Sequence, residues 1–129
     1  MTAAPAYAPG RHVVEAYGAG GFRFAGMSHV GSILASPRGI SALAAASIGD
    51  LGDDALALLV AELEAKPGAV DLLVVGTGAR PERLPDALAG RLHALGLRSE
   101  TMATGPAAHI YNVLVEEGRR VAALLIAVA

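Results

Sequence analysis

The run Val70-Asp71-Leu72-Leu73-Val74-Val75-Gly76-Thr77-Gly78 sets the architecture of this 129-residue chain. Leu72 to Val75 is unbroken, apolar and rich in β-branched residues, and it stops abruptly at Gly-Thr-Gly. That is the pattern of a strand buried on both faces and ending in a tight loop. Such a strand needs a layer above and a layer below, and the flanking sequence supplies amphipathic helices. Upstream, Leu56, Leu59, Val60 and Leu63 share one helical face, Asp53 and Asp54 sit in the first turn where the helix dipole favours negative charge, and Lys66-Pro67-Gly68 ends the helix. Downstream, a second helix runs from about Pro85, a residue acceptable at a first helical position, to Leu95, with Gly96 as its stop.

Working outward, Leu97 to Met102 reads as a strand. Thr104-Gly105-Pro106 opens a third helix through about Glu117, with Ala107, Ile110, Val113 and Leu114 at helical spacing and Gly118 closing it. A final strand covers Arg120 to Val128 and is free to run antiparallel at a sheet edge. Toward the N-terminus, His12 to Tyr17, Gly21 to Phe24 and Ser28 to Ala35 read as short strands, the last with Val30, Ile33 and Leu34 as core positions. Connections this short cannot make parallel crossovers, so the three form a small antiparallel layer. Pro37-Arg38-Gly39 is a turn, and the alanine-rich Ser41 to Ile48 is a short helix turn or an irregular linker. The expected fold is α/β and three-layered: a mainly parallel or mixed central sheet with helices, and an additional antiparallel β layer from the N-terminal strands. Residues 1–10 are expected as a disordered tail and residues 11–129 as a single α/β domain.

Composition removes whole classes of function. Hydrophobic residues make up 53% of the chain and charged residues 17%, with a net charge of -2, so no basic footprint for a nucleic acid backbone exists. No cysteine is present, which removes disulfides, thiolate catalysis and thiolate zinc sites and fits a reducing cytoplasm, and the alanine, glycine and arginine usage points to a bacterial one. The longest apolar run, Val121 to Ala129, is far short of the roughly 20 residues of a membrane helix, so no membrane insertion is expected. The N-terminus has neither the basic start nor the apolar stretch of a secretory signal. The apolar composition leaves room for a homo-oligomer interface or simply a large core.

Gly76-Thr77-Gly78 lies at the carboxyl end of a central strand, where open α/β sheets place ligands. If Gly105-Pro106 opens a helix at a neighbouring strand end, its N–H groups and dipole would suit an anion or a carboxylate, with Thr77 and Thr104 adding hydroxyls. The plainer alternative is that the glycines serve turn geometry and Thr104 caps a helix. Asn112 is a poor helix former in a good helix, placed to bond a neighbouring loop such as the Gly76 loop. Gly76, Thr77, Gly78, Thr104, Gly105 and Asn112 are therefore the ligand-binding candidates. Gly18, Gly20 and Gly21 do not make a dinucleotide loop, because strand residues follow where a helix should begin. His12, His29, His93 and His109 are dispersed without metal-ligand spacing, and Ser28 and His29 point to opposite faces of a strand. No catalytic set, metal site or cofactor is expected.

Several stretches together resemble one family, the mitochondrial complex I assembly factor 3 family with its bacterial and archaeal relatives. They are Tyr17-Gly18 through Gly21-Phe22-Arg23-Phe24, Gly31-Ser32 with Pro37, Leu73-Val74-Val75-Gly76-Thr77-Gly78, Leu84-Pro85, Met102-Ala103-Thr104, and Tyr111-Asn112-Val113-Leu114 with Glu116-Glu117-Gly118-Arg119. The similarity runs from about Val13 to Val128. One departure stands out: members of that family often carry a tryptophan soon after the Gly-Ile or Gly-Val that follows the third strand, whereas Gly39-Ile40 here leads to Ser41, Ala42, Leu43 and Ala44. The resemblance implies a three-layer fold and a non-catalytic assembly or protein-interaction role. Its implied partners are subunits of the respiratory NADH-quinone oxidoreductase, met at a membrane face from the cytoplasm, peripheral to the inner membrane. A small-ligand binder or enzyme using the Gly76 loop and the Thr104-Gly105 helix start is the alternative.

Overall fold

The apolar run at residues 72–75 lies deep inside a six-stranded sheet, and the chain wraps both faces of that sheet to cover it. The computed structural model describes residues 7–51 and 53–129, with the side chains of Tyr7, Asp53, Asp54 and Ala55 outside the described set. The expected first-turn role of the Asp53 and Asp54 carboxylates lies outside it too, as does the tail over residues 1–6. In chain order the strands are β1 Tyr7–Pro9, β2 Ala16–Gly18, β3 Gly21–Phe24, β4 Met27–Val30, β5 Ser32–Ser36, β6 Gly39–Leu43, β7 Leu72–Gly76, β8 Arg98–Met102 and β9 Val121–Leu125. The helices are α1 Asp53–Ala65, α2 Asp86–Ala94 and α3 Thr104–Glu116.

The large sheet has the order β1-β6-β5-β9-β7-β8. Its β9, β7 and β8 are mutually parallel, joined through α2 and α3, while β5, β6 and β1 run antiparallel on the other side of β9. A separate antiparallel sheet holds β2, β3 and β4. Side-chain alternation along the strands sorts two cores. Leu73 and Val75 of β7, Ala122 and Leu124 of β9 and Leu34 of β5 pack against Leu56 and Leu59 of α1 and Leu88 and Leu92 of α2. Val74, Ala123, Leu125, Ile33 and Ala35 face the other way, onto Ala107 and Tyr111 of α3 and Phe22 and Phe24 of the small sheet. The fold is therefore the expected mixed α/β architecture with a separate antiparallel layer.

Both expected helix stops are present. Leu97 N–H bonds Leu92 O at 3.1 Å past Gly96, and Arg119 N–H bonds Leu114 O at 2.9 Å past Gly118, the six-to-one closure of a Schellman ending.

Five expectations need correction. The strand read as Ser28 to Ala35 breaks at Gly31 (φ 106), so that β4 stays in the small sheet and β5 crosses into the large one. Ile33 and Leu34 are core as expected, but Val30 faces outward at 85% exposure. The segment Ser41 to Ile48, read as a helix turn or linker, begins inside β6, whose last three residues are Ser41, Ala42 and Leu43, and ends where a 3-10 turn at Ile48–Asp50 starts. The last strand is interior rather than at an edge, because its fully buried VAALL run suits burial on both faces. Finally, Tyr7–Pro9, assigned to the tail, pair with β6 as an edge strand.

Candidate functional site

The carboxyl end of β7 gathers four of the six candidate residues through backbone geometry that the Gly-Thr-Gly sequence permits. Gly76 must lack a side chain: a Cβ there would lie 2.9 Å from both Leu125 Cδ2 and Thr104 Cα. This close approach brings the start of α3 against the strand end. Thr104 is the first residue of α3 and wholly buried. Its Oγ1 donates to Ile126 O at 2.7 Å and accepts from Gly78 N–H at 2.9 Å, while its own N–H bonds Gly78 O at 2.8 Å. Ala103 occupies the capping position, so the threonine ties strands together instead of capping its helix.

Thr77 serves the adjoining loop. Its N–H bonds Met102 O at 2.8 Å, and its hydroxyl donates to Arg80 O at 2.7 Å and accepts from Glu82 N–H at 3.0 Å. Each hydroxyl thus has a backbone donor and a backbone acceptor of the chain itself as partners. Beside them, the exposed Tyr17 leaves the edge of the small sheet and lays its phenol against Gly105, where a Cβ would collide with it.

Asn112 lies further along α3 and does not reach the Gly76 loop. Its Oδ1 accepts from Val14 N–H at 2.8 Å and its Nδ2 donates to Val14 O at 2.7 Å, a two-point grip on extended backbone. The neighbouring Tyr111 donates its hydroxyl to His12 O at 2.9 Å. Burial pushes that hydroxyl up to about 12, with the Arg11 guanidinium opposing the rise and the Glu62 carboxylate adding to it. Two consecutive α3 residues therefore pin the segment leading into the small sheet. Between them and Tyr17 runs a groove of about 380 Å³ lined by Val14, Glu15, Tyr17, Gly105, His109 and Asn112.

Two residues escape sequence reasoning, Tyr17 at this groove and Glu62 in α1 away from it. Tyr17 reads as a strand end and as part of a family motif, and its contact with Gly105 depends on a layer arrangement no local pattern reveals. Glu62 was overlooked although it follows Leu56 and Leu59 on the buried face of α1, a visible signal, since an acid in an apolar stripe is uncommon. Among the described residues no three His, Asp or Glu side chains come close enough to hold a metal.

Comparison with known proteins agrees with the fold. The chain is 43% identical over 113 residues to an uncharacterised protein of Rhodobacter capsulatus, covering 88% of this chain and 82% of that one. A crystal structure described as an outer membrane protein from Bartonella henselae superposes with a TM-score of 0.82 at 40% identity, over 94% of this chain and 98% of that one. A solution structure of a Bordetella pertussis protein described as a Mth938-like domain gives a TM-score of 0.75 at 28% identity, over 89% of this chain and 85% of that one. A family described as "Protein of unknown function (DUF498/DUF598)" matches residues 14–126, from the Val14 held by Asn112 to the Ile126 held by Thr104. With the match spanning both sheets and all three helices, the chain belongs to the DUF498/DUF598 family.

Proposed function

We propose that this chain is a non-catalytic protein-interaction domain that acts as an assembly factor, and that what it helps assemble is the respiratory NADH-quinone oxidoreductase. The observation that carries the first part is the fate of the polar candidates. The hydroxyls of Thr77 and Thr104 and the amide of Asn112 are taken up by the chain's own backbone, which gives the strand end rigidity and little free chemistry. Exposed large apolar side chains, by contrast, are available to a partner: Tyr17, Met27 and Val30 on the small sheet and Ile110 and Val113 on α3, with Leu58 standing apart on α1. The respiratory partner rests on the sequence resemblance alone.

Among the described residues no helix is long and apolar enough to cross a membrane. We place the protein in the bacterial cytoplasm, meeting its partner at the face of the inner membrane. Tagged protein recovered gently from its own host, membranes included, is expected to bring respiratory-complex subunits with it, and Val30→Asp to lose them while the fold persists. A stoichiometric small molecule with no protein partner would reverse the reading. Recovery in the outer-membrane fraction would overturn the compartment.

One observation favours the alternative of a small-ligand binder: the groove beside Tyr17 reaches both Gly105 and Asn112. Gly105→Ala would push the phenol out of its seat at little cost to the fold, since only an exposed side chain must move. A ligand bound there would be released by this substitution, whereas a partner held on the Val30 face would stay.

A further inference from the structure

At the opposite end of the molecule, where α1 runs into β7, a cleft of about 520 Å³ is rimmed by Arg11, Arg38, Lys66 and Arg120. The cations come from four separate places in the chain, and in a protein of net charge -2 their convergence is a local reversal of sign. Arg120 Nη2 holds the exposed Asp71 Oδ2 at 3.2 Å, and among the described residues the acid lining the cleft is Glu62.

Glu62 is the second observation. It is only 5% exposed, and its Oε1 accepts from Ser36 Oγ at 2.5 Å, in the range of a hydroxyl donating to a carboxylate. Its Oε2 is buried and has no hydrogen-bond partner among the described residues. A buried carboxylate oxygen left without a donor costs free energy, and the cations around it are held on long, exposed side chains that can swing aside. The cleft thus offers cations at its rim and an acceptor just beneath its floor. Its volume falls in the range of small-molecule sites, roughly 300–1,000 Å³.

We propose that this cleft binds a small phosphomonoester that also carries an amine or hydroxyl donor. The phosphate, with a charge of about -1.5 to -2 near neutral pH, lies among Arg11, Lys66 and Arg120. The donor reaches Glu62 Oε2 once a rim side chain turns away. A phosphate suits a multiply cationic rim better than a single carboxylate does, and the buried acceptor selects among phosphates.

Titration of the isotope-labelled full chain with phosphoethanolamine and with ethyl phosphate, followed by amide NMR shifts, tests this. Expected are shifts at Arg11, Arg38, Lys66 and Gly68, with phosphoethanolamine bound about tenfold more tightly than ethyl phosphate, a difference equivalent to one good hydrogen bond to a charged group. Glu62→Gln should erase that preference while ethyl phosphate still binds. Lys66→Gln, at an exposed position that leaves the core untouched, should weaken both probes. Silence of these amides with both probes at millimolar concentration overturns the proposal, as does equal affinity for the two or indifference to Lys66→Gln.

Discussion

At Thr104 one hydroxyl joins three segments: it donates to Ile126 beyond β9 and accepts from Gly78 beyond β7 while its own backbone begins α3. Thr104→Val keeps the shape and removes the bonds, leaving a buried N–H and a buried C=O without partners. A loss of about 2–3 kcal/mol is expected, read as a lower denaturant midpoint with unchanged slope. Tyr111 makes a pH prediction. Its hydroxyl ordinarily titrates near 10 and in the fold near 12. Above pH 10 the unfolded chain loses a proton that the folded chain keeps. The contribution is therefore fully present below pH 10 and lost as pH rises through 12, about 2–3 kcal/mol in all. Denaturant unfolding across that range should show the fall, and Tyr111→Phe should flatten it. The sequence shows Thr104 as a candidate hydroxyl or cap and Asn112 as a poor helix former in a good helix, but not what they hold, because their partners lie 22 and 98 residues away.

Among the elements, the hairpins of the small sheet depart from the best turn chemistry. Ala19 and Ala25 have φ of 53° and 51° before Gly20 and Gly26, the left-handed pair of a type I′ turn, for which Asn-Gly is preferred. Ala25→Asn should raise thermal stability by about 0.5–1 kcal/mol through relief of that conformation. Gly76→Ala should do the reverse, costing about 1–3 kcal/mol as Leu125 and the α3 backbone are forced back. A thermal melt checks both. The long elements were legible because their periodicity is strong: β7, all three helices and the glycine stops after α2 and α3 lie where the pattern puts them. The break at Gly31 was not, since Ser28 to Ala35 reads as one strand until two different sheets compete for its halves. Strand β6 was hidden by an alanine-rich stretch whose strand character comes from pairing with β5, not from its own residues.

On the scale of the whole molecule, the small sheet is fastened to the rest by Phe22 and Phe24 in the core, by Gly20 N–H on Val128 O, and through the preceding backbone of His12 and Val14, gripped by Tyr111 and Asn112. Asn112→Ala is expected to cost about 1–3 kcal/mol and to loosen that segment first, so tryptic cleavage at Arg11 should accelerate before the global melt moves far. The three-layer plan was legible from the alternation of strands and helices, whereas the strand order was not, because it depends on which buried strand fits between which neighbours. That order also bears on synthesis. Strand β9, the last in sequence of the nine strands among the described residues, sits between β5 and β7 and connects the antiparallel half of the large sheet to the parallel half. While the polypeptide is still emerging from the ribosome, β5 and β7 each present an unpaired inner edge, and such edges are templates for the wrong strand. The nascent protein stays open along its midline until its ninth strand arrives, and that is the interval in which a chaperone's hold on it counts most.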